Sequence, residues 1–555
     1  PDQHWMHPHE VKTTHDYWYP VRDTRGYHNA TEDFAVNTDL KNGMAFGAVY
    51  ATGTAKDHRV VLRDATQGRV LSDRVVTLSP DKPHSVEVKV PAEVTVYDLH
   101  LAVYDPAGAL RIEVRQNPPR KVDLPPGQKD PGDPKKLSQD ELYHGGEWLD
   151  RFVRGTEAAA YYQEALRRDP KDSRVNLEMG CRLLKQGRWK EALAHFDTAL
   201  ERDGDNARVY FNKALALAGM GRSSDAYDNF FRATWGYDYF AQAYLSLAKL
   251  DLRRGDWRAA LGKTTEAARQ NGRFADIHAI QAAASRLAKQ PGQALAAAQR
   301  AMDADPMHFL GGYEKLLAMR ALNSADTPEW ESVWRGVTRD EPQNFLELAT
   351  AYGGAGLWTD ADGVLALSPP HPMVSYLRGY YRELAGDKSA AARHYQQAAS
   401  GPVDYVNPHR LEELDALEAA LRVNPRDAHA HLFLGNLLYS RERREEGYAH
   451  WRQAAGIDAK LSHAWRNVAY AERFLKKDLR ASYESYRKAL EINPGDARAL
   501  LETDQVAELL KLPAAERFAL MNRHLDTVRQ RDDLMARLVD LRLKAGDPEY
   551  LKLAQ

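Results

Sequence analysis

The sequence predicts a mainly α-helical solenoid of repeated helix pairs, preceded by a small β-sandwich. Three observations carry this reading. Small residues recur every 34 residues in three registers: Ala158, Ala192, Ala226, Ala260 and Ala294; Ala165, Ala199, Ala233, Ala267 and Ala301; and Gly146, Gly180, Ala214, Ala248 and Ala282. Such a fixed period in a long chain is the mark of a repeat array. Ahead of the array, short β-branched runs alternate apolar and polar residues. Between the two regions, six prolines fall from Pro118 to Pro134.

The β-sandwich is expected over residues 33–117. Its runs are Val60-Val61-Leu62, Val75-Val76-Thr77, Val86 to Val90 and Ile112-Glu113-Val114. Turn signals separate them at Asn42-Gly43, Gln67-Gly68, Ser79-Pro80 and Pro106-Ala107-Gly108. Seven or so short strands at this spacing suit a sandwich of immunoglobulin-like size. Residues 118–138, rich in Pro, Gly, Lys and Asp, cannot build a core and read as an extended, semi-rigid linker.

Residues 139–308 then read as five regular helix pairs. Two antiparallel helices need small residues where their axes approach most closely, and another where the second helix meets the next pair. Gly187, Gly221 and Gly255 sit between the helices, where a left-handed residue ends the first one. Asp169-Pro170, Asp305-Pro306, Asn424-Pro425 and Asn493-Pro494 mark the ends of second helices. Residues 309–400 read as degenerate pairs. Residues 401–555 hold further pairs and C-terminal helices, with Gly401 to Pro408 as an interruption and Arg410 to Pro425 as an added helix.

These features resemble the tetratricopeptide repeat, whose pattern has small residues at its eighth, twentieth and twenty-seventh positions and proline near its thirty-second. The resemblance covers about three quarters of the chain and implies a fold rather than a ligand.

Composition narrows the function classes. The chain has 555 residues, too many for one compact core. Lys plus Arg (76) nearly balances Asp plus Glu (78), which argues against nucleic-acid and membrane-surface binding. Apolar runs fall short of the roughly 20 residues of a membrane span. The single cysteine, Cys181, rules out an intrachain disulfide and suits a reducing, cytoplasmic setting, while secretion stays open because the chain begins at Pro1. Cys181 follows the small Gly180 on a first helix and reads as a buried or groove-lining bystander.

A second resemblance rests on Tyr17-Trp18-Tyr19-Pro20-Val21-Arg22, Thr31-Glu32-Asp33, Asn407-Pro408-His409-Arg410-Leu411-Glu412-Glu413-Leu414 and Leu501-Glu502-Thr503-Asp504-Gln505. These phrases look like a functionally uncharacterised bacterial family that joins a galactose-mutarotase-like β-supersandwich, a small β domain and tetratricopeptide repeats. The resemblance implies that residues 1–32 are the last strand, around Val11 to Pro20, and connector of a β domain lying before Pro1. Any sugar-processing carboxylates would lie there, outside this chain, so the full protein could be carbohydrate-active while no catalytic residue is assigned here.

Candidate motifs each have a plainer alternative. His4, His7, His9 and His15 could ligate a metal, but strand alternation would split them, and polar residues on a domain seam explain them as well. Tyr17, Trp18 and Tyr19 could stack on a sugar or simply pack. Asn29-Ala30-Thr31 matches a glycosylation acceptor, a pattern common by chance. The sequence contains neither a phosphate-binding glycine loop nor a nucleophile elbow, and no metal or cofactor is expected.

The binding signal lies on the first helices of the later repeats. From 376 onward their expected groove positions turn aromatic and polar: Tyr376, Tyr380, Asn436, Tyr439, His463, Arg466, Asn467, Tyr470 and Arg473. Earlier groove positions, Ala218, Ala279 and Ala283, offer little for recognition. The tetratricopeptide resemblance places Asn436 and Asn467 at the two asparagine positions of a carboxylate clamp. Leu432 replaces its first lysine, and Arg498 matches a later basic position only approximately. An asparagine ladder that satisfies helix backbone is the alternative. The expectation is a non-catalytic scaffold that docks a protein or peptide, another copy of itself or its own N-terminal domain. The rival is the rear part of a carbohydrate-active enzyme.

Overall fold

The computed structural model describes residues 15–119, 131–152 and 155–544. The histidines 4, 7 and 9, the stretch 11–14 and most of the proline-rich segment lie outside the described residues. The chain divides into two compact units, Pro1–Lys129 and Asp130–Gln555.

Among the described residues of the first unit, eight antiparallel strands form two sheets. They are β1 (Asn29–Ala30), β2 (Phe34–Lys41), β3 (Met44–Ala51), β4 (Ala55–Asp64), β5 (Arg69–Leu78), β6 (His84–Lys89), β7 (Leu99–Tyr104) and β8 (Leu110–Arg115). The sheet orders are β1-β2-β3-β6 and β5-β4-β7-β8. Val36 and Val49 from one sheet meet Leu62, Leu101 and Ile112 from the other in a single core. Strand alternation sends every second side chain inward, which is why the short β-branched runs became strands. Asn42 and Gly43 both adopt positive φ (52° and 72°), the primed-turn geometry that joins β2 to β3.

Of the strand expected around Val11 to Pro20, the described part, residues 15–20, carries no strand. It packs instead on the outer face of β3. Tyr19 stacks on Tyr50 with ring centroids 6.2 Å apart, and its hydroxyl donates to the Thr31 and Phe34 carbonyls. Arg25 lies 4.1 Å over the Phe46 ring. Trp18 is left 95% exposed. One aromatic of the run packs; its neighbour faces solvent.

The second unit is helical. Among the described residues, ten helices run in pairs from Gln139–Arg151 to Pro291–Ala304. The pairs Phe309–Ala321 with Thr327–Thr338, Pro342–Gly354 with Trp358–Leu365, and Pro372–Leu384 with Lys388–Ala399 follow. An unpaired helix, Leu411–Val423, comes next, then Ala428–Ser440 with Arg444–Ile457 and Ser462–Phe474 with Leu479–Ile492. Helices Ala497–Leu509, Ala514–Arg523, Leu525–Val528 and Asp532–Lys544 close the described chain.

The small-residue register has a specific partner in space. A Cβ added at Gly146, Gly180, Gly379 or Gly435 would overlap the ring of Tyr162, Phe196, Tyr395 or Trp451 respectively. Each ring comes from the second helix of the same pair. The first helix therefore offers a socket, and the aromatic of its partner fills it. Ala192, Ala226 and Ala260 are fully buried. Between helices, Gly187, Gly221 and Gly255 have φ of 72°, 72° and 78°, the left-handed conformation that glycine adopts without strain.

The groove expected at the alanine-rich positions is closed at Ala279 and Ala283. Ala279 and Ala283 are fully buried, Ala279 in one core with Leu245, Leu316 and Leu348. Those alanines are small because successive first helices approach closely there, while Ala218 is partly buried.

Distant repeats also touch. Arg253 sits over Trp358 at 5.3 Å and donates to the Gly353 and Gly354 carbonyls at 3.5 and 3.4 Å, capping a helix C-terminus 100 residues further on. Glu442 accepts from Arg182 at 3.1 Å and from Gln186 at 3.0 Å, a separation of 260 residues in sequence for the first of these. The winding brings the second helix pair back against the pair that begins at Ala428.

Candidate functional site

Six of the nine residues singled out in the sequence line one cavity of about 640 Å³: Asn436, Tyr439, His463, Arg466, Asn467 and Tyr470. The first helices Ala428–Ser440 and Ser462–Phe474 present them. On a helix, positions three and four apart share a face, so Asn436 with Tyr439, and Arg466 and Asn467 with Tyr470, project together.

Polar bonds fix the floor. Asn436 Oδ1 accepts from Trp451 Nε1 at 2.9 Å and from Asn467 Nδ2 at 2.8 Å. That leaves the Asn436 amide nitrogen and the Asn467 carbonyl oxygen without a protein partner among the described residues. The two asparagines thus form a ladder, but one that bonds side chains rather than helix backbone. Trp451 in turn stacks on Tyr439 at 4.7 Å, and Tyr470 meets Tyr439 edge-on at 5.9 Å. Orientation is locked by packing as well as by hydrogen bonds.

Ion pairs surround this floor. Arg466 pairs with Asp496 at 2.9 Å, and Asp496 also caps the helix Ala497–Leu509 by accepting from Ala499 N. Arg498 pairs with Glu502 at 3.0 Å. His463 faces Asp404 at 3.1 Å. Burial, helped by the neighbouring Arg466, pushes the His463 imidazole below its usual value, so the ring is largely uncharged near neutral pH.

The far wall comes from the interruption in the repeats. Residues 403–407 line the cavity, and in their midst Val406 is buried while Tyr405 is 95% exposed. Tyr405 has φ of +61°, a left-handed conformation that costs a non-glycine residue about 1–2 kcal/mol. In the sequence this wall shows only as a break in the repeat rhythm. The signal was present in the apolar and aromatic content of Val403-Asp404-Tyr405-Val406, which an ordinary linker does not need.

Three singled-out residues lie apart from the cavity. Tyr376 is fully buried, its hydroxyl donating to Asp427 at 2.9 Å, so it belongs to the core between helices. Tyr380 is half-buried against that same core. Arg473 donates to Gln505 at 3.1 Å on the helix Ala497–Leu509. Leu432 is 1% exposed where the clamp would place lysine. Cys181 is half-buried, and burial pushes its thiol up to about 11, which favours the protonated form at neutral pH. The described residues contain no grouping of three or more His, Cys, Asp or Glu able to hold a metal ion, and no helix among them is long and apolar enough to cross a membrane.

Known proteins match both units. Residues 29–113 fit the family model described as YphG-like protein, second domain. Residues 177–234 and 414–459 fit a tetratricopeptide repeat model. The chain carries tetratricopeptide repeats. Their second stretch includes the helix Ala428–Ser440 that holds Asn436 and Tyr439. Among solved structures, PilW, a widely conserved type IV pilus biogenesis factor, is similar at 19% identity and a TM-score of 0.33, covering 36% of this chain and 92% of PilW. A tetratricopeptide repeat protein from Parabacteroides merdae ATCC 43184 is similar at 14% identity and a TM-score of 0.33, covering 51% of this chain and 98% of its own. The APC/C hetero-tetramer Cut9-Hcn1 gives 12% identity and a TM-score of 0.28, over 73% of this chain and 90% of the other.

Proposed function

We propose that this chain is a non-catalytic interaction scaffold whose cavity between the repeats at 428–457 and 462–492 docks an extended peptide segment of a partner protein. The observation that carries this reading is the divided asparagine pair. Asn436 and Asn467 spend one amide group each on one another and on Trp451, and keep one donor and one acceptor for a ligand. A peptide backbone supplies the matching acceptor and donor at each residue. Tyr439 and Tyr470 add large, rigid contact area beside them, the kind of side chain that contributes most at interfaces.

The first prediction tests this. Peptides from a random-sequence phage library, panned on the full chain, are measured by fluorescence anisotropy. The double substitution Arg466→Ala and Tyr470→Ala should weaken their binding by about a hundredfold, given roughly 1–3 kcal/mol for losing an interface anchor, with unchanged circular dichroism. Peptides that bind the double variant as tightly as the parent would remove the cavity from the account.

A further inference from the structure

The charge of the cavity wall specifies its ligand further. Three carboxylates, Asp404, Asp496 and Glu502, line it together with two guanidinium groups, Arg466 and Arg498. Both arginines are already matched, Arg466 to Asp496 and Arg498 to Glu502. Among the described residues the remaining carboxylate, Asp404, pairs with His463 alone, which burial keeps largely neutral. Asp404 is 70% exposed at its side chain, and its neighbour Tyr405 stands 95% exposed with its backbone in a left-handed conformation.

An exposed aromatic costs least when small loop adjustments can fold it against the protein. Here Val406 is buried on one side and Asp404 is tied to His463 on the other, so the tyrosine is held outward between two anchors. An unmatched carboxylate beside an open aromatic face attracts cations, because the ring face carries the negative end of its quadrupole. A carboxylate-terminated ligand would instead meet Asp404 with like charge and find both arginines engaged.

Resting on the peptide-docking reading above, we infer that Asp404 and Tyr405 form a subsite for a basic side chain, lysine or arginine, of the docked partner peptide. The ammonium or guanidinium group pairs with Asp404 and lies against the Tyr405 ring, while the peptide backbone runs past Asn436 and Asn467. The interruption Gly401 to Pro408 is then the part of the chain that sets ligand charge, and the repeats supply the backbone contacts.

The test uses peptides recovered by panning the full chain and shown to lose binding to the Arg466→Ala, Tyr470→Ala variant. These peptides should share a lysine or arginine. Replacing that residue by glutamine, or substituting Tyr405→Ala or Asp404→Asn in the protein, should each weaken binding by about tenfold. Asp404→Asn retains an acceptor for His463, so its effect reports charge rather than loop placement. Asp404→Lys should weaken the same peptides further. Cavity-dependent peptides that are acidic or uncharged, or that bind Asp404→Lys as well as the parent, would overturn this inference and leave the docking reading standing. Recovered peptides indifferent to the Arg466→Ala, Tyr470→Ala variant would overturn both.

Discussion

His431 and His450 face one another across the helix pair Ala428–Ser440 and Arg444–Ile457, Nδ1 to Nδ1 at 2.8 Å. A single proton serves that contact, since one ring must donate and the other accept. Burial first, then the positive charge His431 would carry, pushes His450 down to about 4, and burial also lowers His431 despite its bond to the Pro425 carbonyl. Glu446 favours and Arg443 opposes charging of His450, and Asp427 favours charging of His431. Both rings are neutral in the folded protein at pH 7 and titrate near the ordinary histidine value once unfolded. As pH falls from about 6.5 to about 4, the unfolded chain takes up protons that the folded chain refuses, so stability is lost across that window and levels off below it. Urea denaturation at pH 7 and pH 4.5 should show the parent losing about 1 kcal/mol more than His450→Gln, a figure reduced for the ring's contact with water. An equal loss in both would count against the shared-proton arrangement. The sequence offered no sign of this pair, because 19 residues separate the two histidines and only the crossing of the helices brings them together. That Arg466, Asn467 and Tyr470 share one helix face was legible for the opposite reason: local geometry joins them. Tyr376 misled because helical spacing alone does not distinguish a face turned to a groove from one turned to a neighbouring helix.

At the scale of the helix pair, socket and aromatic form the unit of packing. Gly435 is the sharpest case. An added Cβ there would overlap the Trp451 ring and come 2.9 Å from the Gly447 carbonyl oxygen, which is backbone and cannot swing aside. Gly435→Ala should therefore cost about 1–3 kcal/mol by overpacking. It should also disturb the Trp451 bond to Asn436, and so the cavity floor. Gly262, mid-helix in Trp257–Gln270 with open space around its Cβ position, provides the contrast. Gly262→Ala should stabilise by up to about 1 kcal/mol through helix propensity alone. Thermal melts of the two variants check this, and a melting point for Gly435→Ala at or above the parent's would show that the pair can spread. The 34-residue period made the small residues visible in the sequence, since a repeat must place the same constraint at the same step. The rings opposite Gly146 and Gly180, Tyr162 and Phe196, vary in type, and Gly379 and Gly435 with their rings Tyr395 and Trp451 fall off the 34-residue count, so the shared role is apparent only from the structure. The strand pattern was legible where alternation is strict, as in β6, and not in residues 15–20, whose aromatics pack singly against β3.

For the solenoid unit as a whole, the decisive contact is the return of Glu442 to Arg182 and Gln186. Glu442 occupies the turn position that Gly187, Gly221 and Gly255 fill elsewhere, and it holds φ of +64° there despite its side chain. Arg182 is 10% exposed and also pairs with Asp150, so its charge is balanced from two directions. Glu442→Lys would set two cations together at that junction. The variant should lose about 1–2 kcal/mol and show a larger radius of gyration by small-angle X-ray scattering, with helical content unchanged. An unaltered radius would mean that the leucines 411 and 414, which approach Gly187, hold the turns together without the ion pair. Mechanically, a repeat array free along its length behaves as a spring, compliant to both stretch and compression. Contact between distant repeats limits the second freedom: at Glu442 and beside Gly187 the chain already meets itself, so compression is opposed there. Pulled, it should resist first at the Glu442 junction and then extend in proportion to the load.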